Sequence, residues 1–169
     1  FHWPCSAKLA FCFLRGAHMT STNQANSSHN DAEVALIVGG GPGVSSSCAR
    51  LFASQGMKVA VAARTPDKPV LQTLQAEHKV NLYACDASDP QSVAALFKSV
   101  TADLGRPRLV VHNIDGRTVD IFRKEITEAD TSLVADVLRN SAFSAFLVGQ
   151  QAAISMLAGD APEGDQHRG

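Results

Sequence analysis

The sequence predicts an α/β domain with a doubly wound parallel sheet of about four strands in the order 3-2-1-4, flanked by helices. Three observations predict it. Apolar runs too short for helices recur along the chain, and each is followed by a stretch with helical spacing. That alternation places parallel strands in one sheet with helices on both faces. The link between the first strand and the first helix is Gly39-Gly40-Gly41-Pro42-Gly43, a turn that lets the backbone bend tightly and approach a ligand. The chain of 169 residues suffices for one domain.

The elements follow in order. Ala35-Leu36-Ile37-Val38 reads as a buried strand. After the glycines, Val44, Cys48, Leu51 and Phe52 fall on one helical face, and Gly56 closes that helix. Lys58 to Ala62 is the second strand, and Pro69 starts a helix through about His78. Val80, Leu82 and Ala84 alternate as a third strand ending at Cys85-Asp86. Asp89-Pro90 is a helix start, with Val93, Leu96, Phe97 and Val100 as its apolar face. Leu109-Val110-Val111 is the fourth strand, running into His112-Asn113. Thr127-Glu128-Ala129-Asp130 resembles a helix cap, and a long helical region follows to about Leu157, broken near Asn140.

Composition excludes several classes. The formal net charge of −1 argues against a nucleic-acid partner. No apolar run approaches the roughly 20 residues of a membrane span. The four cysteines, Cys5, Cys12, Cys48 and Cys85, show no metal or redox spacing and read as free thiols of a reducing, cytoplasmic compartment. The histidines are scattered without ligand spacing, so no metal is expected. Residues 1–32 read as a disordered leader, with Met19 the preferred natural start and an organellar leader the alternative. Residues 33–157 read as the domain, and 158–169 as a solvated tail.

A strand, a glycine turn and a helix N-terminus together suit a pyrophosphate, because the first helical amides lack internal partners and lie at the positive end of the dipole. A strict GxGxxG fails, since Val44 stands at the third glycine. A P-loop fails for want of Gly-Lys-Ser/Thr. The match is to GxxxGxG, with Gly39 and Gly43 in place and Ser45 at the third glycine. In this the chain resembles the short-chain dehydrogenase/reductase family, over about Glu33 to Leu157. The resemblance implies a Rossmann-like fold and a nicotinamide cofactor over Gly39, Gly41, Gly43 and Val44.

Other strand ends extend the resemblance. An acid that would hold a ribose 2′-hydroxyl is replaced by Ala63, and Arg64 next to it suits a 2′-phosphate. NADP(H) is therefore favoured over NAD(H). The family's adenine-contacting Asp-small pair is matched by Asp86-Ala87. Its Asn-Asn-Ala-Gly is matched only at Asn113, with His112, Ile114 and Asp115 departing; His112 reads as structural. Asn140 falls at the family's catalytic asparagine, which holds a water in a proton relay. Each residue also has a plainer reading: a surface arginine, a turn-starting aspartate, a polar residue at a helix break.

The resemblance implies hydride transfer between nicotinamide and a carbonyl or alcohol, with a serine and a Tyr-x-x-x-Lys pair supplying the acid/base chemistry. This stretch carries one tyrosine, Tyr83, with alanine four residues on, and no lysine after Asn140. The expectation is the cofactor half of such an enzyme, inactive alone and taking a substrate only in a longer form. A non-catalytic nucleotide-binding module is the alternative. A receiver-like domain of the same architecture would need acids where Gly39-Gly40 stand. Half a domain would also leave the fourth strand as an unpaired edge and the helix Ala142–Leu157 uncovered, so self-association is expected.

Overall fold

The computed structural model describes residues 11–14, 32–122 and 124–158. The order of elements is β1 (Phe11–Leu14), β2 (Val34–Val38), α1 (Val44–Ser54), β3 (Lys58–Ala63), α2 (Pro69–His78), β4 (Asn81–Ala84), α3 (Pro90–Asp103) and β5 (Pro107–His112). After β5 come α4 (Val119–Phe122), a short 3-10 turn, α5 (Thr131–Leu138), a π-helical turn at Arg139–Phe143, and α6 (Ser144–Leu157). The sheet runs β1-β5-β2-β3-β4. Its four parallel strands, β4-β3-β2-β5, have the order the sequence predicts.

The fifth strand corrects an expectation. β1 pairs antiparallel with β5, Phe11 opposite His112 and Leu14 opposite Leu109. Four residues of the segment read as a disordered leader thus complete the sheet, and the β5 edge expected to stand unpaired is covered. FCFL is apolar and alternates little, and an apolar edge strand such as β5 is a ready template for it. Of the tail read at 158–169 only Ala158 is described, and residues 1–10 and 15–31 of the leader lie outside the described residues.

The strands are apolar on both faces because helices cover both. Leu36, Val38, Ala60, Ala62 and Val110 pack against α3 and α6 through Val93, Phe97, Val100, Leu147 and Val148. Ala35, Ile37, Val59, Val61 and Val111 face Ala49 of α1 and Leu71 and Leu74 of α2. Leu36→Ala at the centre of β2, fully buried, is expected to cost about 2–5 kcal/mol of unfolding free energy in urea titration; a loss under 1 kcal/mol would contradict this packing.

Local chemistry explains the helix ends. Asp89 caps α3 by accepting from Gln91 N at 3.1 Å and Ser92 N at 3.2 Å. At the other end of α1, Gly56 N reaches Ala53 O and Met57 N reaches Phe52 O, with Gly56 at φ +82°; this is the glycine-terminated Schellman arrangement. Two sequence expectations shift. The buried face of α1 carries Ser45, Ser46 and Ala49, whereas Val44 and Leu51 are exposed. Small residues let α1 lie close to the sheet, and its serine hydroxyls are satisfied by the glycine turn. The cap of α5 is Asp130, accepting from Ser132 N at 2.8 Å, rather than Thr127.

Candidate cofactor site

The C-terminal ends of β2, β3, β4 and β5 lie along one edge of the sheet, as a parallel ladder requires. The glycine turn leaves β2 there. Gly39 has φ +103°, and a Cβ on it would stand 2.3 Å from the Asn113 carbonyl oxygen. A Cβ on Gly40 would stand 2.9 Å from Val61 Cγ1. Both glycines are therefore demanded by packing against the neighbouring strands. Gly41 differs: nothing lies within 4 Å of its Cβ position. Its lack of a side chain leaves open space at the mouth of the turn.

Gly43 is the N-cap of α1 and makes no side-chain cap, and the first turn holds no acid. The serines that could have capped the helix turn back instead. Ser45 Oγ donates to Gly39 O at 2.6 Å, and Ser46 Oγ donates to Gly41 O at 2.6 Å. The first turn of α1 thus takes no side-chain cap, an arrangement that can receive an anion. Val44, half-exposed, opens that turn.

At the ends of β3 and β4, Arg64 and Asp86 are exposed and Ala87 is buried. Asp86 Oδ1 accepts from Ser88 N at 3.0 Å and Ser88 Oγ at 2.7 Å. These bonds hold its carboxyl below the usual aspartate range, and Arg64 adds to the effect. Asp86 thus builds its local turn while its charge stays beside Arg64. Burial pushes the neighbouring Cys85 thiol up.

Asn113 ends β5. Its Nδ2 donates to Ser45 Oγ at 2.7 Å, and its backbone N donates to Val38 O at 2.8 Å. Asp115, the acid at a family glycine, is engaged in a two-pronged pair with Arg117, at 2.7 Å and 2.8 Å. Beyond it, a Cβ on Gly116 would meet Val137 O at 2.9 Å and Asn140 Cβ at 3.0 Å. The segment after β5 therefore lies against the π-helical turn that carries Asn140.

His112 joins these parts from below. It is buried, and its Nε2 lies 2.9 Å from Ser144 Oγ. Ser144 is fully buried, and its hydroxyl reaches Asn140 O at 2.7 Å. Since the serine proton goes to that carbonyl, the imidazole donates from Nε2. Burial lowers the His112 pKa, so the ring is neutral in the fold and regains an ordinary pKa of about 6.5 on unfolding. Below about 6.5 the unfolded chain binds the extra proton, so stability falls as pH drops toward the folded pKa and is flat above. Thermal melts from pH 7.5 to 5.5 should show this decline, with a shallower slope in His112→Gln; an unchanged slope would remove His112 as its source.

The structure thus brings together Gly39, Gly41, Gly43, Val44 and Asn113 around one helix N-terminus, sets Arg64 beside Asp86-Ala87, and links Asn140 to β5 through His112 and Ser144. Tyr83 stands apart on the edge strand β4, its hydroxyl donating to Asp103 Oδ2 at 2.9 Å. Desolvation and Asp103 push its pKa to about 12, which unsuits it to proton transfer near neutrality. Spacing did not reveal the Ser45–Asn113 bond or the part of Ser144. The only signals were a serine in a glycine's place and another within an apolar run. Among the described residues no cluster of His, Cys, Asp and Glu fits a metal, and no helix is long and apolar enough to cross a membrane.

Comparison with known proteins agrees with this fold. The family model described as enoyl-(acyl carrier protein) reductase matches residues 40–162. The probable 2,4-dienoyl-CoA reductase 3 of Caenorhabditis elegans is 30% identical over 115 residues, covering 64% of this chain and 37% of that protein. A short-chain type dehydrogenase/reductase structure from Mycobacterium ulcerans is 26% identical with a TM-score of 0.65, covering 74% of this chain and 46% of that one. A metagenomic short-chain oxidoreductase solved in complex with NADP shares the fold, with a TM-score of 0.62 at 23% identity over 75% of this chain and 57% of that one. The chain spans less than two thirds of the length of each of these relatives. By its sheet order, its glycine turn and the family match over most of its residues, the chain belongs to the short-chain dehydrogenase/reductase family.

Proposed function

We propose that this chain is the NADP(H)-binding half of a short-chain oxidoreductase. One observation carries the reading: the N-terminus of α1 has neither a side-chain cap nor an acid in its first turn, and Gly41 beside it has nothing within 4 Å of its Cβ position. Those features suit a pyrophosphate on Gly41, Gly43 and Val44. Asp115 is paired with Arg117, so its charge is offset where a glycine is expected. Asn113 would line the nicotinamide end and Asp86-Ala87 the adenine. The bound cofactor would supply the hydride for a carbonyl or accept it from an alcohol.

Gly41→Ala tests the reading cleanly. Because the added methyl meets nothing, unfolding stability should stay within about 0.5 kcal/mol. NADPH affinity, read by fluorescence titration, should fall at least tenfold as the methyl occupies the approach of the phosphate. Equal affinity would remove the glycine turn from the argument. Arg64 is proposed to set cofactor choice. Arg64→Ala should weaken NADP(H) by about 1–3 kcal/mol and leave NAD(H) nearly unchanged; equal losses would refute the preference.

Asn140 is proposed as the catalytic-site asparagine of a longer form that also carries the serine and the Tyr-x-x-x-Lys pair. Residues 1–169 alone should show no turnover with NADPH and a carbonyl panel. Turnover abolished by Asn140→Ala would overturn the half-domain reading. Phe143, Phe146, Ile154 and Leu157 stand exposed on one face of the last helix and the π-helical turn before it, as the half-domain reading expects of a helix that the other half would cover. This stripe is proposed to mediate self-association. The free thiols of Cys48 and Cys85 fit a reducing compartment such as the cytoplasm.

A further inference from the structure

Ser45 stands where the resembling pattern has a glycine, yet it does more than keep the position small. It is 1% exposed, so water does not compete for its hydroxyl. That hydroxyl has one proton and accepts as well. Both capacities are used within the fold: the proton goes to Gly39 O at 2.6 Å, and the oxygen accepts from Asn113 Nδ2 at 2.7 Å. The Gly39–Gly40 peptide is planar and rigid, and its other end is also held, because Gly40 N donates to Ala62 O at 3.0 Å. One peptide plane is therefore fixed at its carbonyl from α1 and β5 and at its amide from β3.

We propose that Ser45 is a positioning residue: its hydroxyl, bridging the Asn113 amide and the Gly39 carbonyl, clamps the Gly39–Gly40 peptide and presets the glycine turn for a dinucleotide pyrophosphate. The proposal rests on the nucleotide reading above. A glycine turn that is loose before binding must be ordered by the ligand, at a cost in affinity. A clamp built from buried side chains orders it during folding. Glycine at this position would pack as closely but would leave the Gly39 carbonyl and the Asn113 amide without this link.

The test uses residues 1–169 with Ser45→Gly, Ser45→Ala, Asn113→Ala and the double variant Ser45→Gly/Asn113→Ala. NADPH is titrated by fluorescence, and amide exchange is followed at Gly39 and Gly40. Both Ser45 variants should bind NADPH about tenfold more weakly, and both amides should exchange about tenfold faster. In amide exchange at Gly39 and Gly40 without nucleotide, the double variant should be no faster than Ser45→Gly, since one clamp is lost either way. A lowered melting temperature with unchanged affinity and unchanged exchange at Gly39 and Gly40 would make Ser45 merely structural and overturn the proposal. So would additive increases in that exchange in the double variant. Wild-type chain that binds neither NADPH nor NADH would overturn the nucleotide reading and with it the pyrophosphate role. Unchanged exchange in Ser45→Gly overturns the clamp itself, whatever the wild type binds.

Discussion

Gly39→Ala is expected to cost more than about 4 kcal/mol and to leave little folded protein at ambient temperature. Two effects add. At φ +103° a side chain is strained by about 1–3 kcal/mol. The methyl would also stand 2.3 Å from the Asn113 carbonyl oxygen and 2.7 Å from both Asn113 C and Ile114 Cγ1. Ile114 can turn aside; the Asn113 backbone cannot, because its N–H is bonded to Val38 O at 2.8 Å. Relief requires separating β2 from β5 at the centre of the sheet. Urea unfolding checks this, with Gly41→Ala as the control a few residues along the same turn. A Gly39→Ala variant melting within 1 kcal/mol of wild type would mean that the turn is not built as described.

Deleting residues 1–18, so that the chain starts at Met19, should have the second large effect. β1 goes with that segment, and its four-residue ladder against β5 is lost. At about 0.5–1.5 kcal/mol per net hydrogen bond and about four bonds in such a ladder, the loss is on the order of 2–6 kcal/mol. The backbone edge of Leu109-Val110-Val111 would then be open to another chain. Sedimentation velocity should show the shortened protein associating with concentration, and Val110→Lys on the shortened background should not rescue its stability, because that side chain is fully buried. A shortened protein that melts like the whole would mean that β1 adds nothing to the sheet.

The parallel core was legible because its periodicity is strong. Val93, Leu96, Phe97 and Val100 all fall on the buried face of α3, and α2 has the predicted ends at Pro69 and His78, each set by a residue with a physical reason to be there. β1 was not legible. Four apolar residues next to polar sequence carry no periodic signal, and their partner is nearly a hundred residues away. The buried face of α1 was misread for a related reason. Cys48 and Phe52 pack against the core as expected, but its fully buried contact is made by serine and alanine, and small polar residues bury only when a carbonyl or amide brought close by the fold satisfies them. At the site, the residue types at the strand ends were visible. Which glycine serves the fold and which leaves space was not, because that depends on what the neighbouring strands bring close.

The buried pair of His112 and Ser144 bears on α6 as a whole. That helix, SAFLVGQQAAISML, offers apolar or small side chains nearly all the way round. Burial alone would let it slide or rotate against the sheet at little cost, since one greasy contact exchanges for another. The polar bond does not exchange. Moving α6 by one turn would strand the buried imidazole N–H, worth about 1–3 kcal/mol unpaired, while the serine hydroxyl would keep only its bond to Asn140 O within the helix. The pair therefore works as a detent, giving an otherwise slippery helix a single seating on the sheet and the segment around Asn140 a single address.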